Sequence, residues 1–279
     1  MASLFEIGKT GVQAYRQALS VTGQNIANIN TEGYNKRSAE ITEVAGVTGG
    51  PTNVSDSSGL GVRVSNIRRS FDAYLADKTR SSQSDYEMLN DFVSKLSDLE
   101  NMLLPSGSDL GVFIGRFFDS LQDVASSPDS ISARTVSLEA GKALASSFNS
   151  YDKQLRDFKS GALRQIEVKN TEANLLLNQL AQVNSLVSTS GSKDASNDVL
   201  DARDQLLKDL SKLFNFTVDY DKSGAAIVRL GDSGNGTHIL EGNKAATITA
   251  SSDANNISFN VNNKGVKSTG IFSSGIMSG

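Results

Sequence analysis

His238 is the only histidine in the chain, and cysteine is absent. A transition-metal site of the His/Cys kind is therefore excluded, because it needs several such donors converging. A Ser-His-Asp triad would have to be built on His238, and no GxSxG elbow accompanies it. His238 reads as a surface residue at the edge of a β turn. Asp219-x-Asp221-x-Ser223-Gly224 imitates the opening of a calcium loop. The twelfth position of that loop must be acidic; here it is Leu230, and no helix is expected on either side. The segment reads as a hairpin turn. Gly59-x-Gly61 and the glycines between 231 and 236 lie in no strand–loop–helix unit with a Lys-Ser/Thr or GxGxxG, so they read as turn glycines. Asp201 and Asp204 would need a pocket to act as an acid/base pair. With Arg203 between them, they form either a solvated ion network of little worth or a packed polar junction, and residue types alone leave both open.

The bulk composition points the same way. Over 279 residues the net charge is −4, which gives no basic footprint for nucleic acid. Trp is absent and aromatics are 6%, thin material for one large round core and better suited to narrow helical layers. No disulfide or thiolate chemistry is available. The N-terminus shows no basic segment leading into an apolar run, and no stretch approaches the roughly 18 apolar residues of a membrane span. On these grounds alone the expectation is a cytoplasmic protein.

The elements that must position these residues are mostly helical. Phe5, Val12, Leu19 and Ile26 recur every seven residues, with Gly8, Tyr15, Thr22 and Ile29 in the second seam position. Such a stripe wants a partner helix. Asn28, Asn30, Thr31 and Gly33 then break the helix. Residues 38 to 69 read as a β-hairpin excursion, with Ile41, Val44, Val62 and Val64 in short strands around a Gly/Pro/Ser-rich loop. A second helix is expected over 71–104, with Leu89, Phe92, Leu96, Leu99 and Leu103 at helical spacing, ended at Pro105. Asp109 is read as the cap of a third helix carrying Leu110, Ile114, Phe117, Leu121 and Val124, closed by Pro128. Residues 131–188 hold no proline and would span roughly 87 Å as one helix. Gly161 is its weakest point, because glycine costs about 1 kcal/mol in a helix interior. Leu144, Phe148, Tyr151, Leu155 and Phe158 form one stripe on it, extended by Leu176, Leu180, Val183 and Val187. Asp198 is read as the cap of a fifth helix bearing Leu206, Leu207, Leu210 and Leu213. Beyond Phe214 the period becomes two: Phe216, Val218 and Tyr220, then Ile227 with Leu230, then Ile257, Phe259 and Val261, separated by Asx/Gly turns.

The expected fold is thus mostly α with a β domain: an elongated, coiled-coil-like rod of long helices, an N-terminal β-hairpin excursion and a C-terminal antiparallel β domain. The divisions are 1–37 for the first helix and turn, 38–214 for the rod, and 215–279 for the β-rich part. No second helix pairs with the first.

Asn25-Ile26-Ala27-Asn28, Asn30-Thr31 and Gly33-Tyr34 together resemble the N-terminal signature of bacterial flagellar axial proteins, the rod, hook and hook-associated family. Gly59-Leu60-Gly61-Val62, through Ile67 and Arg68-Arg69 to Phe71-Asp72, is similar to several members. The run from Asn197 to Leu207 resembles a helix characteristic of the junction between hook and filament, through Asn197, Asp198, Leu200, Asp201, Arg203, Asp204 and Leu206. With Pro128 and Ala133-Arg134 ahead of it, the resemblance covers roughly residues 1 to 214. It implies a structural, non-enzymatic role without cofactor or metal, and export by the flagellar type III route. It also implies that the partner of the first helix comes from the C-terminal end of the same chain, so the expectation is a truncated chain or incomplete reading frame, the alternative being a partner helix on another molecule. The implied partners are further copies of the chain, the hook protein, a second junction protein (hook-associated protein 3) and an export chaperone gripping a C-terminal segment. Neither nucleic acid nor membrane insertion is implied. Subunit packing would fall to Phe5, Val12, Tyr15, Leu19 and Ile26, and subunit orientation to Asn25, Asn28, Asn30, Thr31, Gly33 and Tyr34. A lone chain would leave the first helix unpaired and disordered until docked. The other readings are a hook or distal-rod protein, against which the Asn197–Leu207 run argues, and an adhesive module on a helical stalk, which exposed aromatics in the β region would favour.

Overall fold

The structure is a computed structural model, which describes residues 4–44, 60–103, 110–190, 195–232, 234–252, 257–262 and 264–266. The first helix, α1, spans Leu4–Ala27 and is formed in the single chain. Besides the stripe, α1 has a second, smaller face. Ala14 and Val21 on that face are buried against the antiparallel hairpin β1 (Arg37–Glu43) and β2 (Val62–Arg69). The contact is close. Gly61 sits at φ +105°, and a Cβ there would fall on the Thr10 hydroxyl, which accepts the Val62 N–H at 3.3 Å. The hairpin loop, residues 45–59, lies outside the described residues.

Helix α2 covers Ala73–Leu103, with Asp72 accepting the Leu75 N–H at its start. Leu89, Phe92 and Leu96 hold the helical spacing expected of them, yet they are exposed. The expected breaker Pro105 and cap Asp109 lie outside the described residues. Helix α3 (Leu110–Ser126) packs along α4 (Ile131–Ser190). The latter is 60 residues long, about 90 Å, and runs through Gly161 without interruption. Its first stripe is only partly covered, with Phe148 and Leu155 exposed. Its second half is buried along Ala173, Leu177, Leu180, Asn184 and Val187.

Helix α5 spans Asn197–Ser211, and its cap is Ser196 rather than Asp198: the Ser196 side chain accepts the Val199 N–H. A short hydroxyl on the extended residue just before the helix reaches that donor, whereas Asp198 already lies inside the first turn, where its charge complements the helix dipole. The strands follow as β3 (Phe216–Tyr220), β4 (Ala226–Leu230), β5 (His238–Glu241) and β6 (Lys244–Ala245) in one antiparallel sheet. A second, ordered β7–β8–β9, comprises Ile248–Ser252, Ile257–Val261 and Lys264–Val266. On β4 the buried set is Ala226, Val228 and Leu230; Ile227 points to the other face. The expected pairing of Ile227 with Leu230 fails because three residues apart is an odd step in a two-residue period.

One apolar core holds the second half of α4, α5 and the strands together, with Leu177, Leu180, Leu207, Leu210 and Phe214 fully buried at its centre. Two asparagines dock α4 on the sheets by imitating a neighbouring strand. Asn184 donates to the Ala226 and Gly242 carbonyls and accepts the Ala226 N–H, and Asn174 does the same to both groups of Ile248. The described residues of this core begin at Ile166; α1 and the hairpin contribute nothing to it.

Candidate functional site

The turn after α1 is built around one side chain. Asn25 donates to the Arg37 carbonyl at 2.8 Å, while its oxygen accepts the Arg37 N–H at 2.9 Å and the Tyr34 hydroxyl at 2.8 Å. Asn28 accepts the Thr31 hydroxyl and returns a donor to the Gln24 carbonyl. Gly33, at φ +80°, lies against Gln205 of α5, where a Cβ would stand 3.0 Å from the amide oxygen. The helix end, the turn and the first strand are thereby tied into one unit. Asn30 is exposed and takes no part in that bonding.

At the open end of the hairpin Arg37 stands directly opposite Arg69, a like-charge pair that would be destabilising alone. The carboxylates of α5 resolve it. Arg37 donates to Asp198 at 2.6 Å and to Asp201 at 3.0 Å; Arg69 bonds Asp201 at 3.3 Å and Asp204 closer still. Asn35 adds a bond to Asp201 at 2.7 Å, and Asn197 donates to the Ile67 carbonyl. Burial works against the Arg37 charge, but the bonds to Asp198 and Asp201 outweigh it, so the guanidinium holds its proton more tightly than usual. Arg203 is buried with them. It bonds Asp204, donates to the Gly224 carbonyl in the β3–β4 turn at 2.7 Å, and lies 4.4 Å over the Tyr220 ring. Burial raises the Tyr220 phenol above its ordinary value, with Arg203 opposing. The question left open by residue types is thus decided: Asp201, Arg203 and Asp204 form a packed polar junction.

The heptad stripe of α1 faces away from the hairpin. Phe5, Val12, Tyr15, Leu19 and Ile26 are 61–77% exposed. The hairpin covers the opposite face, so the two faces of one helix meet different surroundings.

The remaining chemical candidates stay apart. His238 is on the surface between Arg229 and Glu241. Asp221 accepts from the Ser223 hydroxyl and from the Ser223 and Ala225 amides, which hold its carboxyl below the usual range and close a hairpin turn. Among the described residues no group of His, Cys, Asp or Glu is placed to hold a metal ion, and no helix is long and apolar enough to cross a membrane. Phe214, Phe216 and Phe259 are buried, so the aromatic platform that would favour an adhesive role is absent from the described part of the β region; Phe272 lies outside it.

A family profile described as the flagellar hook-associated protein FlgK helical domain matches residues 96–279. The chain belongs to the FlgK family. A second profile, for flagella basal body rod proteins, matches residues 5–35, the stripe and turn of α1. Flagellar hook-associated protein 1 of Salmonella typhimurium is 27% identical over 253 residues, 90% of this chain and 44% of that protein. The same protein of Escherichia coli is 27% identical over 90% of the chain and 45% of its own length, and that of Bacillus subtilis 27% over 88% and 49%. The chain therefore spans about half the length of the curated relatives it matches. The flagellar hook junction protein FlgK from Burkholderia pseudomallei shares the fold, with a TM-score of 0.63 at 22% identity over 73% of this chain and 38% of that one.

Within this FlgK-family chain the structure gathers most of the residues singled out from sequence. Asn25, Asn28, Thr31, Gly33 and Tyr34 form the turn, and Asn197, Asp198, Asp201, Arg203 and Asp204 form the junction. Leu200 and Leu206 are half-buried on α5. Sequence reasoning missed Asn35, Arg37 and Arg69 as partners of the α5 carboxylates. The signal available was the pair of basic residues flanking a predicted hairpin, which lacked any indication of which acids would meet it.

Proposed function

We propose that the chain is a structural component of the bacterial flagellum that polymerises at the junction between hook and filament. The observation that carries this is the apolar stripe of α1, exposed along its whole length while the other face is occupied. A folded helix with such a stripe calls for a partner surface. Phe5, Val12, Tyr15, Leu19 and Ile26 supply the packing, and the Asn25-centred turn fixes its direction. Copies join head to tail through unlike surfaces, which yields a helical tube when the rotation does not close. The hook protein and a second junction protein, hook-associated protein 3, are the neighbours above and below. The β-rich part from 215 lies outward, and the chain performs no catalysis. It reaches its place by flagellar type III export, escorted by an export chaperone.

The test is immunogold electron microscopy of detached flagella with antibody against residues 71 to 214. A narrow band of label at the hook–filament boundary is expected. Label along the whole hook would make this a hook protein, and label on the cell surface away from flagella would overturn the reading.

A further inference from the structure

The α1–turn–hairpin unit, residues 4–44 and 60–70, is fastened to the rest of the molecule through polar groups. Among the described residues its buried apolar side chains, Ala14 and Val21, face inward to the hairpin, and it gives none to the large core. The chain leaves it once, between Arg69 and the start of α2 at Ala73. The bonds that hold it, among the described residues, run to one stripe of α5: Asn197, Asp198, Asp201, Asp204 and Lys208, the last paired with Glu32 at 3.0 Å. Each of those bonds is polar or ionic. Asp201 sits at the centre, accepting from Arg37, Arg69 and Asn35 while only 7% exposed.

We infer that residues 4–44 and 60–70 form a rigid body hinged at Ser70–Asp72 and latched to α5 by this ionic seam, with Asp201 as the positioning residue that sets the direction of α1. The boundary between moving parts then falls after the hairpin, at residue 70, and not at residue 37. The physical reason is that ionic contacts are directional, so the position of Asp201 sets the angle of the unit, and opening the seam exposes groups that water solvates, whereas an apolar core opens only by exposing its surface. The device lets one subunit type present its apolar stripe at more than one angle, which a contact zone between two different tubes requires. That last use rests on the junction reading; the hinge itself does not.

The chain has no cysteine, so introduced cysteines are clean label sites. Spin labels at Gly23→Cys on α1 and Gln182→Cys on α4 report the seam, and labels at Gln182→Cys and Lys222→Cys report the core junction. Distances are measured by pulsed electron paramagnetic resonance on the complete chain. The unsubstituted seam is expected to give one narrow distribution from the first pair. Asp201→Asn should broaden it at least twofold and leave the second pair unchanged, and Asp201→Glu should restore it. Arg37→Gln, which leaves Asp201 paired with Arg69, serves if Asp201→Asn fails to fold and should broaden the first pair less. An unchanged first pair in both variants overturns the hinge. So does broadening of both pairs, or a first pair already broad without substitution. None of these outcomes depends on where the protein sits in the cell, so failure of the hinge and failure of the junction reading are separable.

Discussion

Helix α5 makes two junctions of opposite character. Along one face Leu207 and Leu210 enter the core with Leu177 and Leu180 of α4, all four without exposed surface, against the buried side chains of the strands. Along another, Asp198, Asp201 and Asp204 meet Arg37 and Arg69 of the hairpin. The first junction draws on burial, roughly 25 cal/mol for each Å² of apolar surface removed from water, and cares little about angle. The second draws on geometry, because a buried carboxylate needs its donors in place. A helix of only 15 residues can thus weld the rod to the β region while latching the N-terminal unit reversibly.

That contrast can be broken most severely at the core. Leu177→Ala should cost about 2–5 kcal/mol in denaturant unfolding of the rod and strands, since it removes a fully buried side chain and leaves a cavity. A loss below about 1 kcal/mol would mean the site collapses without consequence and the core is not the weld described. Asn25→Ala comes next. It unpairs the Arg37 peptide groups and the Tyr34 hydroxyl, for about 1–2 kcal/mol confined to the turn. Amide exchange should quicken at Tyr34–Arg37 with no shift in unfolding of the core; equal quickening in α4 would erase the distinction between the two regions.

The β3–β4 turn should respond to acid by a smaller amount. The Asp221 carboxyl is depressed, first by the Ser223 hydroxyl and then by the backbone amides of Ala225, Ser223 and Gly224. A depressed carboxyl contributes stability that is present above its unfolded value and is lost as pH falls through the folded one. Exchange of the Ser223–Ala225 amides, corrected for its intrinsic pH dependence, should therefore rise as the carboxyl is protonated and stay level in Asp221→Asn. Smallest in stability is Leu19→Asp, within about 0.5 kcal/mol because the side chain is 73% exposed. Its effect should appear instead as lost junction assembly with rod helicity intact by circular dichroism; loss of the helical signal would sink the assignment of Leu19 to subunit packing.

How much of this was legible beforehand follows from range. The stripe on α1, the hairpin after it, the long α4 and the alternation on β3 are written in spacings of two, three, four and seven residues, and those periods survive whatever surrounds them. The turn at 28–34 was legible for the same reason, since its bonds link residues close in the chain. The choice of Ser196 as cap was local too, but two candidate caps stood two residues apart and only backbone geometry chose between them.

What the sequence determined by itself, then, is the set of faces: an apolar stripe on α1, carboxylates on α5, small and branched residues alternating in the strands. What only the tertiary structure decided is which faces meet. Asp201 finds Asn35 from 166 residues away and Arg69 from 132, and Asn184 finds Ala226 across 42. No period connects such positions. Their pairing is fixed by the packing of α4, α5 and the hairpin in space, because a charged or amide group leaves water only where its partners are already waiting.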